Sequence, residues 1–336
     1  MAVLFRAITP LAWQGRRVPD DALAGADGWL NSDTLTIPSL RGRVALLDFF
    51  DYTCVNCLRT LPYLTEWWRR YAGRGLTVVG IHAPEFDIGA IPANVERGLA
   101  RLGVTYPVAL DNHFRIWRTF RNNVWPRHFL LDREGVVVED HAGEGGYRET
   151  EERIQHLLGV TDIPPMDYVR PQDRPQAGCL PQTAETYLGY QRGELPQGYR
   201  RNAVMEYRDT EEHRLHGVYL QGPWQAGPQS IRHARRTDSP DEDYLELVYL
   251  AQEVNLVIDG SPDRPYDVLV TLDGLPLPPE FRTPGITERD GRTWVRVDEP
   301  RMYRLVFGPY GQHTLHLASD SDRFRAYAFT FGAWDV

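Results

Sequence analysis

A pair of cysteines one helical turn apart, directly after an apolar run, constrains the fold of this chain more than any other feature. Cys54 and Cys57 follow residues 44–50, which are apolar apart from one aspartate, as in a strand buried on both faces. From Cys54 to Tyr71 apolar side chains recur at helical spacing. The pattern predicts a strand, a tight turn and a helix that begins at the cysteine pair.

Two thiols at this spacing can close into a disulfide and reopen with little backbone movement. At a helix N-terminus, unpaired N–H groups and the helix dipole favour an anion, so we expect a lowered pKa for the Cys54 thiol. The thiolate is the nucleophile in disulfide exchange, which makes Cys54 the attacking residue. Cys57, one turn further in and more buried, would resolve the mixed disulfide. The pair predicts a thiol–disulfide oxidoreductase.

The alternatives for the pair are half of a zinc site and two inert buried cysteines. A zinc site needs two more ligands, and Cys179 is the one other cysteine in the sequence. His213 and His216 lie far along the chain, and nothing in the sequence joins them to the pair. We therefore predict neither a metal site nor a cofactor, and we interpret Cys179 as a bystander.

Two carboxylates are candidate catalytic groups. Asp48 interrupts the apolar run six residues before Cys54, where a buried carboxylate could relay a proton for Cys57. The alternative is a strand-end aspartate hydrogen-bonded to the backbone. Glu85 follows the second predicted strand and could be a second such acid, although an exposed loop glutamate would look the same.

Trp125 and Pro126 precede a predicted hairpin strand. A cis proline at this position would expose the neighbouring backbone beside the cysteines, where a substrate strand could pair with it. Trp125 and Pro126 are therefore the predicted substrate-binding residues.

A chain of 336 residues is expected to contain two domains. Residues 28–159 alternate strand and helix patterns, and prolines crowd the segment 161–185. Further on, short apolar runs are separated by Gly, Pro or Asp clusters, which is typical of a β-sandwich or jelly roll. The predicted domains are 1–160, with an N-terminal extension, and 186–336, joined by a Pro-rich linker at 161–185.

The net charge of −9 argues against nucleic acid as a partner, because no cation surplus exists to neutralise phosphates. The sequence contains no lysine, so all 37 basic residues are arginine. No apolar stretch approaches the roughly 20 residues that span a bilayer, and residues 1–10 lack the features of a signal peptide. As given, the chain is predicted to be cytoplasmic.

Aromatic side chains of the C-terminal part could form a sugar-stacking platform or the core of the sandwich. Their places on alternating strands favour the core. The residues concerned are Trp224, Tyr249, Tyr266, Trp294, Tyr303, Tyr310 and Tyr327.

The order and spacing of Asp48, Cys54, Cys57, Pro62 and Pro126 resemble those of thioredoxin. More narrowly, residues 28–159 resemble the thioredoxin-like domain of the TlpA and DipZ group. The segments that carry this resemblance are Trp29-Leu-Asn, Leu40-Arg-Gly-Arg-Val, Cys54-Val-Asn-Cys57, Gly80-Ile-His-Ala-Pro-Glu85-Phe, Tyr106-Pro-Val-Ala-Leu-Asp-Asn112, Trp125-Pro126 and Gly143-Glu-Gly-Gly-Tyr147. Residues 185–192 and 313–332 resemble the C-terminal domain of the DipZ group, whose fold is like a carbohydrate-binding module.

The resemblance implies an α/β thioredoxin-like fold followed by an all-β sandwich of the jelly-roll type. It implies that Cys54 and Cys57 are the redox pair, that Pro126 is the cis proline and that Glu85 is the acid often found in this group. The implied partners are protein disulfides or thiols and an unidentified electron donor or acceptor, with a glycan possible at the C-terminal domain.

Two departures from the group affect these expectations. DipZ proteins carry a membrane electron-transfer domain before the thioredoxin-like one, and this sequence contains none. Group members usually work outside the cytoplasm, which implies an extracytoplasmic location if a leader has been lost. Two other functions stay open: a non-catalytic module whose β-sandwich recognises glycan or protein, with the thioredoxin fold as a scaffold, and a peroxiredoxin-like peroxidase.

Overall fold

The computed structural model describes residues 13–210 and 212–335. The chain divides into two compact units, of which the first ends at Asp173 and the second begins at Arg174. The segment 1–10, where no signal peptide is predicted, lies outside the described residues.

The first unit alternates strands and helices, as its sequence pattern predicts. Its strands are β1 (Gly28–Leu30), β2 (Val44–Phe50), β3 (Leu76–His82), β4 (Val108–Leu110), β5 (Arg127–Leu131) and β6 (Val137–Ala142). Its helices are α1 (Ile37–Leu40), α2 (Val55–Tyr71), α3 (Pro92–Arg101), α4 (Arg115–Thr119) and α5 (Tyr147–Leu158).

These strands form one sheet in the order β1-β4-β3-β2-β5-β6. The central strand β2 pairs in parallel with β3 and antiparallel with β5, and every residue of β2 and β3 is buried. One apolar cluster covers the face under α2 and α5, and another covers the opposite face under α1 and α4. This is the α/β thioredoxin-like fold that the sequence predicts.

The last helix of this unit begins earlier than the sequence suggests. Thr150 is a good N-cap residue and predicts a start at Glu151, but α5 begins at Tyr147, after Gly146 in a left-handed conformation. Thr150 is buried, and its hydroxyl donates to the Glu139 carboxylate at 2.7 Å. A tertiary contact with β6 therefore replaces the cap.

The N-terminal half of the predicted linker packs on the first unit. Ile163 and Met166 contact the apolar cluster under α2 and α5. The Tyr63 hydroxyl of α2 donates to the Asp173 carboxylate at 2.7 Å and accepts the Val169 N–H at 2.8 Å. Residues 161–173 thus belong structurally to the first unit.

The described part of the second unit, apart from one 3-10 turn at Pro279–Phe281, consists mainly of strands. They are β7 (Gly178–Cys179), β8 (Thr186–Tyr187), β9 (Val204–Tyr207), β10 (Val218–Ala226), β11 (Ile231–His233), β12 (Tyr244–Asp259), β13 (Tyr266–Leu272), β14 (Leu275–Pro276), β15 (Ile286–Arg289), β16 (Arg292–Val297), β17 (Arg301–Ala318), β18 (Arg325–Gly332) and β19 (Trp334–Asp335).

The long strand β12 organises this unit. It pairs with β17 along most of its length, with β10 near its start and with β18 towards its end. One apolar cluster fills the interior that these strands enclose. The unit is the predicted β-sandwich.

Most of the aromatic residues considered for sugar stacking belong to the core, as the sequence indicates. Trp224, Tyr249, Tyr266, Tyr303 and Tyr327 are each at most 5% exposed. Two others reach the surface: Trp294 is half-buried and Tyr310 is 37% exposed. Within residues 13–210 and 212–335, no helix combines the length and apolar character needed to cross a membrane.

Candidate active site

The cysteine pair lies where β2 ends and α2 begins. The Cys54 N–H donates to the Asp51 carbonyl at 3.2 Å, which closes the turn after β2. Cys54 is the N-cap residue of α2, and its sulfur accepts the Cys57 N–H at 3.4 Å. The sulfur thus satisfies one of the unpaired donors at the start of the helix.

Both cysteines are free thiols and differ in exposure. Cys54 is half-buried, whereas Cys57 is 1% exposed. A substrate disulfide approaching from solvent meets the Cys54 sulfur first. This geometry supports the predicted order in which Cys54 attacks and Cys57 resolves.

The prediction of a lowered pKa for Cys54 is wrong. The hydrogen bond from the Cys57 side chain does lower the pKa of the Cys54 thiol, but burial of the thiol and the negative charge of Glu85 raise it. Asp51 adds to the increase, and the net pKa lies above the ordinary value. Burial and the two carboxylates together thus outweigh the effects that favour the thiolate at the helix N-terminus.

The Cys57 thiol has a stronger preference for its protonated form than the Cys54 thiol. Burial raises the pKa of Cys57 well above its usual value, and the hydrogen bond to Cys54 and the charge of Asp48 act in the same direction. Cys57 therefore needs a proton acceptor before it can act as a nucleophile.

Asp51 is a site residue that the sequence reasoning missed. It is fully buried, and its Oδ1 accepts the Thr53 N–H at 2.6 Å and the Thr53 hydroxyl at 2.7 Å. Its Oδ2 accepts the Glu85 N–H at 2.6 Å. Asp51 thus ties the turn before Cys54 to the loop after β3. Since β2 and β3 run parallel, the residues after their carboxyl ends are neighbours, and this pairing is the signal that could have identified Asp51.

Glu85 lies half-buried in that loop, close enough for its charge to act on Cys54. Its backbone N–H is fixed by the Asp51 carboxylate. The structure thus brings Glu85 to the cysteines, as the sequence predicts, while its catalytic role stays a prediction.

Asp48 begins a row of titratable side chains across three adjacent strands. His128 on β5 is the register partner of Asp48, and His141 on β6 is the register partner of His128. Asp48 Oδ1 and His128 Nε2 are 3.1 Å apart, without the alignment of a hydrogen bond, and both side chains are at most 2% exposed. The His128 and His141 rings are 6.0 Å apart, and His141 is half-buried. The row thus leads from the buried carboxylate towards the surface, and the sequence reasoning missed both histidines.

The Trp125–Pro126 peptide bond is cis, as predicted. The Trp125 indole N–H donates to the Ala83 carbonyl at 3.0 Å, which connects it to the loop that carries Glu85. Trp125 and Cys54 pack on the same apolar cluster. The next residue, Arg127, forms a buried bidentate ion pair with Asp140 at 2.8 and 2.9 Å. Substrate binding by Trp125 and Pro126 stays a prediction.

A cluster of side chains of the types that can ligate a metal lies in the second unit. His213 contacts the Asp209 carboxylate at 2.8 Å through Nε2 and the Glu246 carboxylate at 2.6 Å through Nδ1. Burial lowers the pKa of His213, but its hydrogen bond to Asp209 and the charges of both carboxylates outweigh that effect and raise it. A protonated imidazole that donates to both carboxylates accounts for these distances.

We expect Glu85→Gln to lower the pKa of Cys54, because it removes a negative charge that disfavours the thiolate. The pH dependence of iodoacetamide labelling of the reduced protein, read at Cys54 by peptide mass spectrometry, measures this pKa. Labelling at pH 7 should be faster in the variant. Glu134→Gln is the matched control, since Glu134 is exposed in the β5–β6 turn at the opposite end of the sheet. An unchanged labelling profile in Glu85→Gln would contradict the electrostatic account.

Comparison with known proteins identifies related families for both units. Residues 15–140 match the AhpC/TSA family, and residues 183–332 match the family described as thioredoxin like C-terminal domain. Protein DipZ of Mycobacterium tuberculosis and of Mycobacterium bovis is 34% identical over 254 residues, which is 71% of this chain and 35% of that protein. The chain thus spans about a third of the length of these relatives.

Two shorter proteins match the first part of the chain. The thiol-disulfide oxidoreductase YkuV of Bacillus subtilis is 25% identical over 146 residues, covering 44% of this chain and 98% of that protein. A crystal structure of a thiol-disulfide isomerase from Corynebacterium glutamicum is 23% identical with a TM-score of 0.37, covering 40% of this chain and 94% of that one. On the DipZ identity and the two family matches, the chain is a TlpA/DipZ-like protein of the thioredoxin family.

Proposed function

We propose that this protein is a thiol–disulfide oxidoreductase that exchanges disulfides with protein substrates through Cys54 and Cys57. The observation that carries the proposal is the arrangement of the two thiols. Cys54 is half-buried at the N-cap of α2, and Cys57 lies buried one turn further along the helix. The family to which the chain belongs supports redox chemistry in general.

The exchange takes place in two displacements. The Cys54 thiolate attacks one sulfur of the substrate disulfide, the other substrate sulfur leaves as a thiolate, and a mixed disulfide forms on Cys54. Cys57 then loses its proton and attacks the Cys54 sulfur, so the mixed disulfide breaks and the Cys54–Cys57 disulfide forms. Two electrons pass from the cysteine pair to the substrate, whose two leaving thiolates take up protons.

Asp48 is the proposed acceptor of the Cys57 proton. It is the buried carboxylate whose charge acts on Cys57. Its Oδ1 lies 3.1 Å from His128 Nε2. A proton that reaches Asp48 can move on to the His128 imidazole and towards the half-buried His141. In this proposal the row of three side chains connects the buried thiol to solvent.

The raised thiol pKa values favour a reductant over an oxidant. A strongly oxidising pair owes its potential to a stabilised reduced form, as happens when the thiolate is stabilised. Here burial disfavours both thiolates, and the charges of Glu85 and Asp51 act in the same direction at Cys54, as does that of Asp48 at Cys57. We infer that electrons flow from the pair to the substrate.

The alternative, a binding module on an inert thioredoxin scaffold, is not favoured. The two thiols are in reach of each other at a helix start, and carboxylates surround them, which a scaffold does not require. The match to the AhpC/TSA family keeps the peroxidase hypothesis open. Turnover of hydrogen peroxide separates that activity from simple disulfide exchange.

Cys54→Ser should reduce disulfide exchange with insulin to the uncatalysed background, because the attacking sulfur is lost. Cys57→Ser should instead accumulate the mixed disulfide on Cys54, visible by mass spectrometry without reductant. Cys179→Ser is the matched control and should retain full activity, since Cys179 is exposed in the second unit. Retained exchange in Cys54→Ser would refute the assignment.

Asp48→Asn should slow the resolving step by roughly 100-fold at pH 7, the usual contribution of a general base. Reaction with 5,5′-dithiobis(2-nitrobenzoate) separates the steps, because attack by Cys54 and resolution by Cys57 each release one thionitrobenzoate. The first release should be unaffected, and the second should become faster as pH rises. His128→Gln should show a smaller effect that does not add to that of Asp48→Asn. A slowed first release or additive effects would count against the relay.

The reduction potential of the cysteine pair decides the direction of electron flow. We expect a value near that of thioredoxin, about −270 mV, and far from the value of a strong oxidant, about −120 mV. Equilibration with glutathione or dithiothreitol buffers, followed by alkylation of free thiols, measures it. A potential near the oxidant value would reverse the inferred direction while leaving the exchange activity intact.

A further inference from the structure

The hydroxyl of Tyr106 is a buried polar group to which the exchange described above gives no role. Tyr106 lies two residues before β4, is fully buried, and belongs to the same apolar cluster as Cys57. Its hydroxyl has no hydrogen-bond partner among the described residues. A buried hydroxyl without a partner costs free energy of folding, and a phenylalanine ring would pack there without that cost. Packing alone therefore does not explain the hydroxyl.

Gly80 makes room for the Tyr106 ring beside Asp48. Gly80 on β3 is the register partner of Asp48 on β2, so both residues face the same side of the sheet. A Cβ atom at Gly80 would lie 3.2 Å from Tyr106 Cε2, which is closer than ordinary van der Waals contact. The ring thus packs against a position that has no side chain, next to the strand that carries Asp48.

The Tyr106 hydroxyl lies among the groups of the resolving step. Burial raises the pKa of Tyr106 well above its usual value, and negative charge on Asp48 and on Cys57 acts in the same direction. The hydroxyl is therefore close enough to both groups for their charges to act on it. A phenol with a raised pKa keeps its proton and can donate it in a hydrogen bond to a neighbouring anion.

The backbone on both sides of Tyr106 is fixed. Asn31 Nδ2 donates to the Val104 carbonyl at 3.1 Å and to the Tyr106 carbonyl at 3.0 Å. The Gly80 N–H donates to the Pro107 carbonyl at 2.9 Å. The ring therefore has a defined position, and only the hydroxyl proton has to rotate to reach an acceptor. Such a donor is preorganised for charge that develops beside it.

We propose that the Tyr106 hydroxyl donates a hydrogen bond to the Cys57 sulfur as that sulfur becomes anionic in the resolving step. This inference rests on the proposed exchange through Cys54 and Cys57. The S–H bond of Cys57 breaks, its proton passes to Asp48, and the charge left on the sulfur accepts the hydrogen bond. The sulfur then attacks Cys54, the substrate sulfur leaves as a thiolate, and Tyr106 keeps its own proton throughout. A hydrogen bond that forms only with the anion favours the reacting state over the resting thiol.

The Cys57 sulfur needs such a donor more than Asp48 does. Burial disfavours the Cys57 thiolate, and the hydrogen bond to Cys54 and the charge of Asp48 add to that effect. Asp48, in contrast, has His128 Nε2 at 3.1 Å from its Oδ1. A neutral donor beside the sulfur offsets part of the cost of forming the thiolate without bringing a further charge into the interior.

Tyr106→Phe removes the hydroxyl and keeps the ring, so it tests this role directly. With 5,5′-dithiobis(2-nitrobenzoate), the first release should be unaffected and the second should be slower by roughly three- to tenfold at pH 7. A hydrogen bond to a charged group changes an ionisation equilibrium by roughly tenfold or more. A less stable thiolate is also more nucleophilic, with a Brønsted coefficient of about 0.4–0.5, so about half of that factor remains on a logarithmic scale. A second release at the parent rate would overturn the inference.

Tyr249→Phe is the matched control. Tyr249 is 1% exposed, its hydroxyl likewise has no hydrogen-bond partner among the described residues, and it lies in the second unit. This variant should leave both releases unchanged, and equal slowing in the two variants would contradict a specific role for Tyr106. Neither variant should lower the melting temperature of the reduced protein, because each removes a buried hydroxyl without a partner. A lower melting temperature in Tyr106→Phe would indicate a structural role instead.

Two variant backgrounds identify the acceptor of the hydrogen bond. In Cys54→Ser protein, Tyr106→Phe should slow iodoacetamide labelling of Cys57 at pH 7, a measurement that needs no turnover. Unchanged labelling would count against a bond to the sulfur. In Asp48→Asn protein, Tyr106→Phe should still slow the second release, and loss of that effect would show that the hydroxyl acts on Asp48 instead.

The same experiments separate this inference from the proposed exchange. If the parent protein gives no first release from Cys54, the exchange itself fails. If the parent protein gives both releases and Tyr106→Phe gives them at the same rates, the exchange stands and the role of Tyr106 is refuted.

Discussion

The buried carboxylate of Asp51 is the interaction on which the candidate active site depends. One of its oxygens fixes the turn that presents Cys54, and the other fixes the backbone of Glu85. A single side chain thus sets both the position of the Cys54 sulfur and the position of a charge that acts on it. Because Asp51 is fully buried and each oxygen has a donor, loss of the carboxylate would leave buried N–H groups unsatisfied on both sides of the site.

The local elements of the first unit could be predicted from the sequence, because they depend on periodicity within a short window. The strand before Cys54 and the helix after it follow from alternation and helical spacing, and the structure has both at nearly the expected bounds. The start of α5 could not be predicted in this way, because Thr150 bonds to a side chain on β6 instead of capping the helix.

The electrostatics of the site depend on residues far apart in the sequence. The charges that surround the cysteines could therefore not be predicted from the local pattern. The helix N-terminus alone predicts a more acidic Cys54. Glu85, 31 positions later, approaches because β2 and β3 are parallel neighbours, and its charge adds to the effect of burial in raising the Cys54 pKa. His128 is likewise brought to Asp48 by strand pairing, across a gap of 80 residues.

The exclusive use of arginine has a consequence for the thiol chemistry. Arginine remains charged at pH values where lysine loses its proton. Alkaline solutions that ionise a thiol with a raised pKa, such as that of Cys54, would therefore leave the arginine of each ion pair charged. The buried Arg127–Asp140 pair, next to Pro126, is one that stays charged under those conditions. A rise in pH that populates the Cys54 thiolate would therefore leave this ion pair beside Pro126 intact.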